Sequence, residues 1–176
     1  VRCFEDSDIT HVEGKIDPVN DIETIETELM LADLESLEKR IVPLEKKAKG
    51  GDKEARELFD LMSRCLVPLR EGKPARMADI NADERKAFAG LGLLSSKPVL
   101  YVCNVEESAA DQGNDFSEKV KARAASEGAV AVVVSAKIES EIAVLPLEDQ
   151  KDYLDAVGLA EPGLNRVIRA GYQLLH

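Results

Sequence analysis

The sequence has no tryptophan, and aromatic residues make up only 4% of its 176 positions. Its core must therefore be assembled from aliphatic side chains. Histidine is confined to His11 and His176, and cysteine to Cys3, Cys65 and Cys103. The cysteines are widely separated and form neither a CxxC pair nor a zinc-type ligand set, so no metal centre or disulfide framework is expected. They read as reduced, buried, small apolar residues of a cytosolic protein. Two histidines leave little material for zinc chemistry or His-based nucleophilic catalysis. No run approaches the ~18 apolar residues that a membrane span requires. No signal-peptide pattern opens the sequence, so the expected location is the cytoplasm, with no membrane partner.

What is present suits a soluble folded chain with long solvated helices: 44% hydrophobic and 32% charged residues. Net charge is −11, but it is uneven. Residues 1–38 carry two basic and twelve acidic side chains, 39–76 carry eleven basic and six acidic, and 77–176 carry ten and sixteen. A basic middle in an acidic chain points to a local polyanion contact; the plainer alternative is a solvated Lys/Glu helix face. The sequence opens on VRCFED, which reads as the end of a strand, and stops at GYQLLH in mid-helix. A fragment of a longer parent is therefore expected.

Asp17-Pro18 predicts a helix start, with Asp17 as cap and Pro18 in the first position. Asp21, Glu23, Glu26 and Glu28 follow in the early turns, where the helix dipole favours acids. Met30, Leu34, Leu37, Ile41, Leu44 and Ala48 then recur at spacings of 3 and 4. Gly50-Gly51 breaks the pattern, Asp52 caps a return helix, and Ala55, Leu58, Met62, Cys65 and Leu69 repeat it. Two heptad-patterned stretches around a Gly-Gly turn predict an antiparallel helical coiled-coil hairpin packed through a narrow seam. Pro43 and Pro68 are expected to kink its arms or end a turn. Another helix is expected after Gly72-Lys73-Pro74, with Asn81 and Glu84 as a capping box.

From Lys97 the period changes. Residues 97–104 and 128–135 are continuous apolar strands, separated by a helix over 115–127 with Phe116, Val120 and Ala124 on one face. This alternation predicts a parallel sheet covered by helices. Residues 1–4 could add a third strand. Short helices are expected near 139–145 and 147–156. A last helix from Glu161-Pro162 is expected to bury Leu164, Val167, Ile168 and Leu174.

Each strand ends in a short polar string: Asn104-Val105-Glu106-Glu107 after the first, Ser135-Ala136-Lys137 after the second. Loops at strand ends are where open α/β sheets bind ligands. Two such loops, one helix apart, suit the two sides of a purine ring. An Asn there offers both a donor and an acceptor to a base edge, although by itself a strand-terminal Asn is more often a turn former. The phosphate loop GxxxxGK[ST] is absent, so the chain reads as part of a nucleotide-hydrolysing domain.

The strings RCFEDSDITHVEGKIDPVNDIETIETELMLADLESLEKR, KPVLYVCNVEE, VVVSAKIESEIAVL and GLNRVIRAGYQLL resemble the YchF-type Obg-like ATPases, in the same order and over nearly the whole sequence. In that family NxxE stands where P-loop GTPases have NKxD, as Asn104 and Glu107 do here. The resemblance implies an α/β fold: a partial P-loop NTPase (G-domain) parallel sheet with an inserted antiparallel coiled-coil hairpin. Residues 1–16 would end the first G-domain part, 17–92 would form the insertion, and 93–176 the base-reading half. The P-loop, the switch regions and a C-terminal TGS domain would lie outside this sequence.

The resemblance further implies an ATP-binding, ATP-hydrolysing protein associated with ribosomes or ribosomal RNA. ATP with Mg²⁺ would be the cofactor of the intact parent, its phosphate and metal ligands lying elsewhere, and the fragment alone would be inactive. Asn104 would read adenine through its amide, Val105 through backbone groups, and Glu107 would complete the motif. Ser135, Ala136 and Lys137 would line the other side of the base. No catalytic residue is expected among those present. Lys39, Arg40, Lys46, Lys47, Lys49, Lys53 and Arg56 cluster about the hairpin tip and would contact nucleic-acid phosphates. Phe59 is the one aromatic available there for base stacking, although it also fits the seam. Two other readings stay open: a non-enzymatic coiled-coil module binding RNA or a protein, and a GTPase with a degenerate base motif.

Overall fold

The computed structural model describes residues 1–5 and 16–175. His11, His176 and most of the 1–16 segment lie outside the described residues. The chain divides into two compact units, Val1–Ile22 with Pro98–His176, and Glu23–Lys97.

The first unit is built on two parallel strands, β1 (Leu100–Asn104) and β2 (Val130–Val134), with Leu100 opposite Val130 and Asn104 opposite Val134. Parallel neighbours need a crossover, and α4 (Asp115–Glu127) supplies it. Both strands are shorter than their apolar runs. Pro98 has no N–H to give to a ladder. Gly128, at φ 68°, closes α4 in the left-handed conformation, and β2 begins only after it. Residues 1–3 extend the sheet by one isolated parallel bridge, Arg2 to Asn104. In it the Cys3 N–H donates to Asn104 O at 2.8 Å and the Asn104 N–H to Val1 O at 2.9 Å.

Cys3, Ile22, Tyr101, Cys103, Val105, Val120, Ala124 and Val133 form this unit's aliphatic core, with Phe116 against it. All three cysteines are buried free thiols. The neighbouring Cys103 thiol, together with burial, pushes the Cys3 thiol well above its ordinary pKa. Three helices follow β2: α5 (Ala136–Ile142), α6 (Leu147–Ala156) and α7 (Gly163–Leu175). Ile138, Ile142, Leu154 and Leu159 make a smaller cluster.

α7 departs from the sequence expectation. Leu164 and Ile168 stand 57% and 48% exposed, while Gly163 and Ala170 are buried. A Cβ on Gly163 would lie 2.9 Å from Val134 Cγ1. The small residues face β2 at close approach and turn the larger ones outward, a choice that apolar periodicity cannot express.

The second unit contains most of α1 (Pro18–Lys49) and all of α2 (Lys53–Arg70), joined at Gly50-Gly51. At the start of α1, Asp17 Oδ1 accepts the Asn20 N–H at 3.2 Å. Asp52 Oδ1 caps α2 by accepting the Ala55 N–H at 3.0 Å. α1 runs on through Pro43, and α2 ends two residues after Pro68.

The buried cluster is Leu37, Leu61, Met62, Cys65, Leu66, Leu69, Ala75, Leu91 and Leu93, flanked by Met30, Leu34, Ile41, Leu44 and Leu58. It is wider than a two-helix seam because residues 75–93 pack over α2. That covering segment is not one long helix. It consists of 3₁₀ turns at Ala75–Met77 and Ala82–Glu84 and the short α3 (Arg85–Gly90). The Asn81–Glu84 capping box is present.

Asp33 anchors this segment. Buried on α1, it accepts hydrogen bonds from the Leu94 N–H, the Ser95 N–H and Ser95 Oγ at 2.7, 2.7 and 2.6 Å. Arg64 adds a two-pronged pair with Glu84 and donates to Asp79 O at 2.8 Å.

Candidate functional site

β1 and β2 run parallel, so their C-terminal ends emerge on the same side of the sheet. The register puts Asn104 beside Val134, and the Val105 N–H continues the pairing to Val134 O at 2.9 Å. The strings 104–107 and 135–137 are thereby neighbours although some thirty residues separate them.

Two side-chain links cross from one string to the other. Asn104 Oδ1 accepts the Ala136 N–H at 2.9 Å. Lys137 Nζ donates to Glu107 Oε2 at 2.9 Å. Both charged side chains of the second link are largely exposed, 65% for Lys137 and 47% for Glu107. The hydrogen bond and the charge of Glu107 hold the Lys137 ammonium above its ordinary pKa.

The remaining residues divide by orientation. Val105 is buried in the core, so it offers the site backbone only, and its N–H is already engaged. Ser135 is buried, and among the described residues its Oγ has no hydrogen-bond partner. With Asn104 Oδ1 occupied, that residue's remaining polar group is the Nδ2 donor. The site therefore presents an amide donor, backbone groups, a buried hydroxyl and a neutralised carboxylate.

Two framework residues escaped the sequence reading. Asn114 ties the first loop to its surroundings: its Nδ2 donates to Cys3 O at 2.6 Å and to Glu106 Oε2 at 2.9 Å, while its Oδ1 caps α4 through the Ser117 N–H at 3.0 Å. The N-x-x-S spacing at 114–117 was a legible cap signal. Glu139, in the first turn of α5, caps α7 through the Gly163 and Leu164 N–H groups at 2.7 and 3.1 Å. Nothing local announces that contact.

The basic residues of the second unit lie in different environments. Arg40 is half-buried and donates to Leu91 O at 2.8 Å. Lys39, Lys49 and Lys53 are exposed and pair with Glu35, Glu45 and Glu57 along their own helices. Such pairs are weak and exchange readily for a phosphate. Lys46, Lys47 and Arg56 are exposed. Phe59 lines a groove of about 350 Å³ with Glu45, Ala48, Lys49, Arg56 and Asp60. Among the described residues no group of His, Cys, Asp and Glu could hold a metal ion, and no helix is long and apolar enough to cross a membrane.

No family model matches the chain. It is 49% identical over all 176 residues to a protein of Haemophilus influenzae named ribosome-binding ATPase YchF, and 47% identical over 177 residues to its namesake in Bacillus subtilis. In each case the match spans 48% of the relative. Among solved structures, the YchF GTPase of Schizosaccharomyces pombe superposes with a TM-score of 0.84 at 28% identity, covering 99% of this chain and 48% of that one. The chain thus spans about half the length of the curated relatives it matches, and the resemblance read from the sequence is borne out. The names of these relatives divide between ATPase and GTPase, so base selection has to be argued from the residues.

Proposed function

We propose that this chain is the base-reading half, with its helical arm, of a YchF-type Obg-like protein that binds and hydrolyses ATP and associates with ribosomes. In this reading residues 1–16 and 93–176 belong to a P-loop-type G domain, and 17–92 are a coiled-coil hairpin inserted into it. The observation that carries it is the Asn104–Ala136 hydrogen bond, which joins the two strand-end loops and leaves the Asn104 amide donor for a ligand.

The chemistry present fits a purine. The Nδ2 donor of Asn104 suits a ring nitrogen, and the Val105 carbonyl suits the exocyclic amine of adenine, whereas it would meet the carbonyl of guanine unfavourably. The Ser135 hydroxyl, without a hydrogen-bond partner among the described residues, supports a ligand at this point. Glu107, paired through Oε2 with Lys137, would accept from guanine only in competition with that ammonium. The triphosphate and its Mg²⁺ would supply the reactive phosphoryl group and its charge neutralisation. The residues described here hold the base and orient the nucleotide.

The exposed Lys46, Lys47 and Arg56, with Lys39, Lys49 and Lys53 in exchangeable pairs, support an RNA-facing role for the arm, and ribosomal RNA is the proposed partner. Arg40 supports it less, since its guanidinium is turned to Leu91. The test is calorimetry of ATP and GTP binding to the full-length protein. Preference for ATP, lost in Asn104→Ala, is expected. No binding of either nucleotide would leave the basic arm, as a non-enzymatic RNA-binding module, the functional centre.

A further inference from the structure

We infer that Lys137 is a specificity residue: by holding the Glu107 carboxylate in an ion pair, it keeps that carboxylate from the donor edge of guanine. The inference rests on the nucleotide reading above and deepens it.

The argument starts from what a carboxylate at this position would do if free. Guanine presents an N1–H and a 2-amino group side by side, two donors that match the two oxygens of a carboxylate. Adenine presents a lone pair at N1 and only C2–H beside it. A free Glu107 would therefore attract guanine and repel adenine. In the structure the charge of Glu107 is offset, because the Lys137 ammonium sits 2.9 Å from Oε2, and guanine would have to compete with that ammonium for the carboxylate.

Lys137 reaches Glu107 because the Asn104–Ala136 bond brings the start of α5 up to the end of β1. Glu141, one turn further along α5, adds only a weaker long-range attraction for the ammonium; the ion pair itself is with Glu107. Among the described residues no other cation pairs with Glu107, and Tyr153 donates its hydroxyl to Glu141. Among the described residues Lys137 is the cation that neutralises this corner. The pair is exposed and contributes little to folding. Its removal changes the electrostatics of the site while leaving the fold in place.

The experiment measures ATP and GTP dissociation constants by calorimetry on the full-length protein and on Lys137→Met, Lys137→Arg, Glu107→Gln and the Lys137→Met/Glu107→Gln double variant. In Lys137→Met the ratio of GTP to ATP affinity should rise about tenfold, the scale of a hydrogen bond to a charged group. Lys137→Arg should keep the unmodified ratio, and the double variant should return to it. A Lys137→Met ratio within about twofold of the unmodified protein would overturn the inference, as would a shift that persists in the double variant. Binding of neither purine, or of both equally, by the unmodified protein would overturn the nucleotide reading and the inference together. A clear ATP preference with an unmoved ratio would overturn the inference alone.

Discussion

Asn104 and Ala136 are joined by a hydrogen bond of 2.9 Å that runs from a side-chain oxygen at the end of β1 to a backbone N–H at the start of α5. One amide thus has two duties, an acceptor that fixes the loops and a donor that remains for a ligand. Asn104→Asp separates them, because the acceptor stays and the donor is lost. Nucleotide affinity of the full-length protein should fall at least about tenfold. The melting temperature should move far less than in Asn104→Ala, which loses both. Calorimetry and thermal unfolding on the same samples check this.

The arm should bind RNA through phosphate contacts. Replacing Lys46, Lys47 and Arg56 by Gln removes three exposed cations that carry no structural pair among the described residues. The slope of log affinity against log salt for a structured RNA should flatten by about 2, with affinity falling alike across sequences. An unchanged slope would place the RNA contact elsewhere.

Asp33 is the polar keystone of the second unit. Asp33→Ala leaves the N–H groups of half-exposed Leu94 and buried Ser95, and the Ser95 hydroxyl, without their acceptor. A loss of about 3 kcal/mol in urea unfolding is expected. Asp33→Asn, which can keep one acceptor oxygen, should cost less.

Acid stability should depend on Glu84. The hydrogen bonds from Arg64 and from the Asn81 backbone hold its carboxyl below the usual carboxylate range. A carboxyl whose folded pKa is depressed contributes stability that is present above its unfolded pKa and disappears as pH falls through the folded value. Unfolding midpoints should therefore drop on acidification below the ordinary carboxylate range. Glu84→Gln should be less stable at neutral pH and should show a shallower acid limb. Parallel pH profiles of the two proteins would reveal whether the limbs differ.

Much of the fold was legible because it rests on short-range chemistry. The helix over 115–127, the Gly-Gly turn, the Asp17 and Asp52 caps and the capping box at Asn81 are each encoded within a few residues. What failed to be legible involved competition between faces. The covering of α2 by residues 75–93, and the exposure of Leu164 and Ile168, depend on which neighbour arrives, and periodicity does not name the neighbour.

The same division runs through the candidate site. The strings at 104–107 and 135–137 could be picked out as strand-end loops because apolar runs and their polar terminators are local properties. That Asn104 spends its oxygen on Ala136, that Val105 spends its N–H on Val134, and that Lys137 neutralises Glu107 were decided only when parallel pairing brought the two ends together. The sequence by itself determined which groups could hydrogen-bond. Tertiary structure decided which are still free to do so, because a donor or acceptor has few partners to give and the fold takes some of them first.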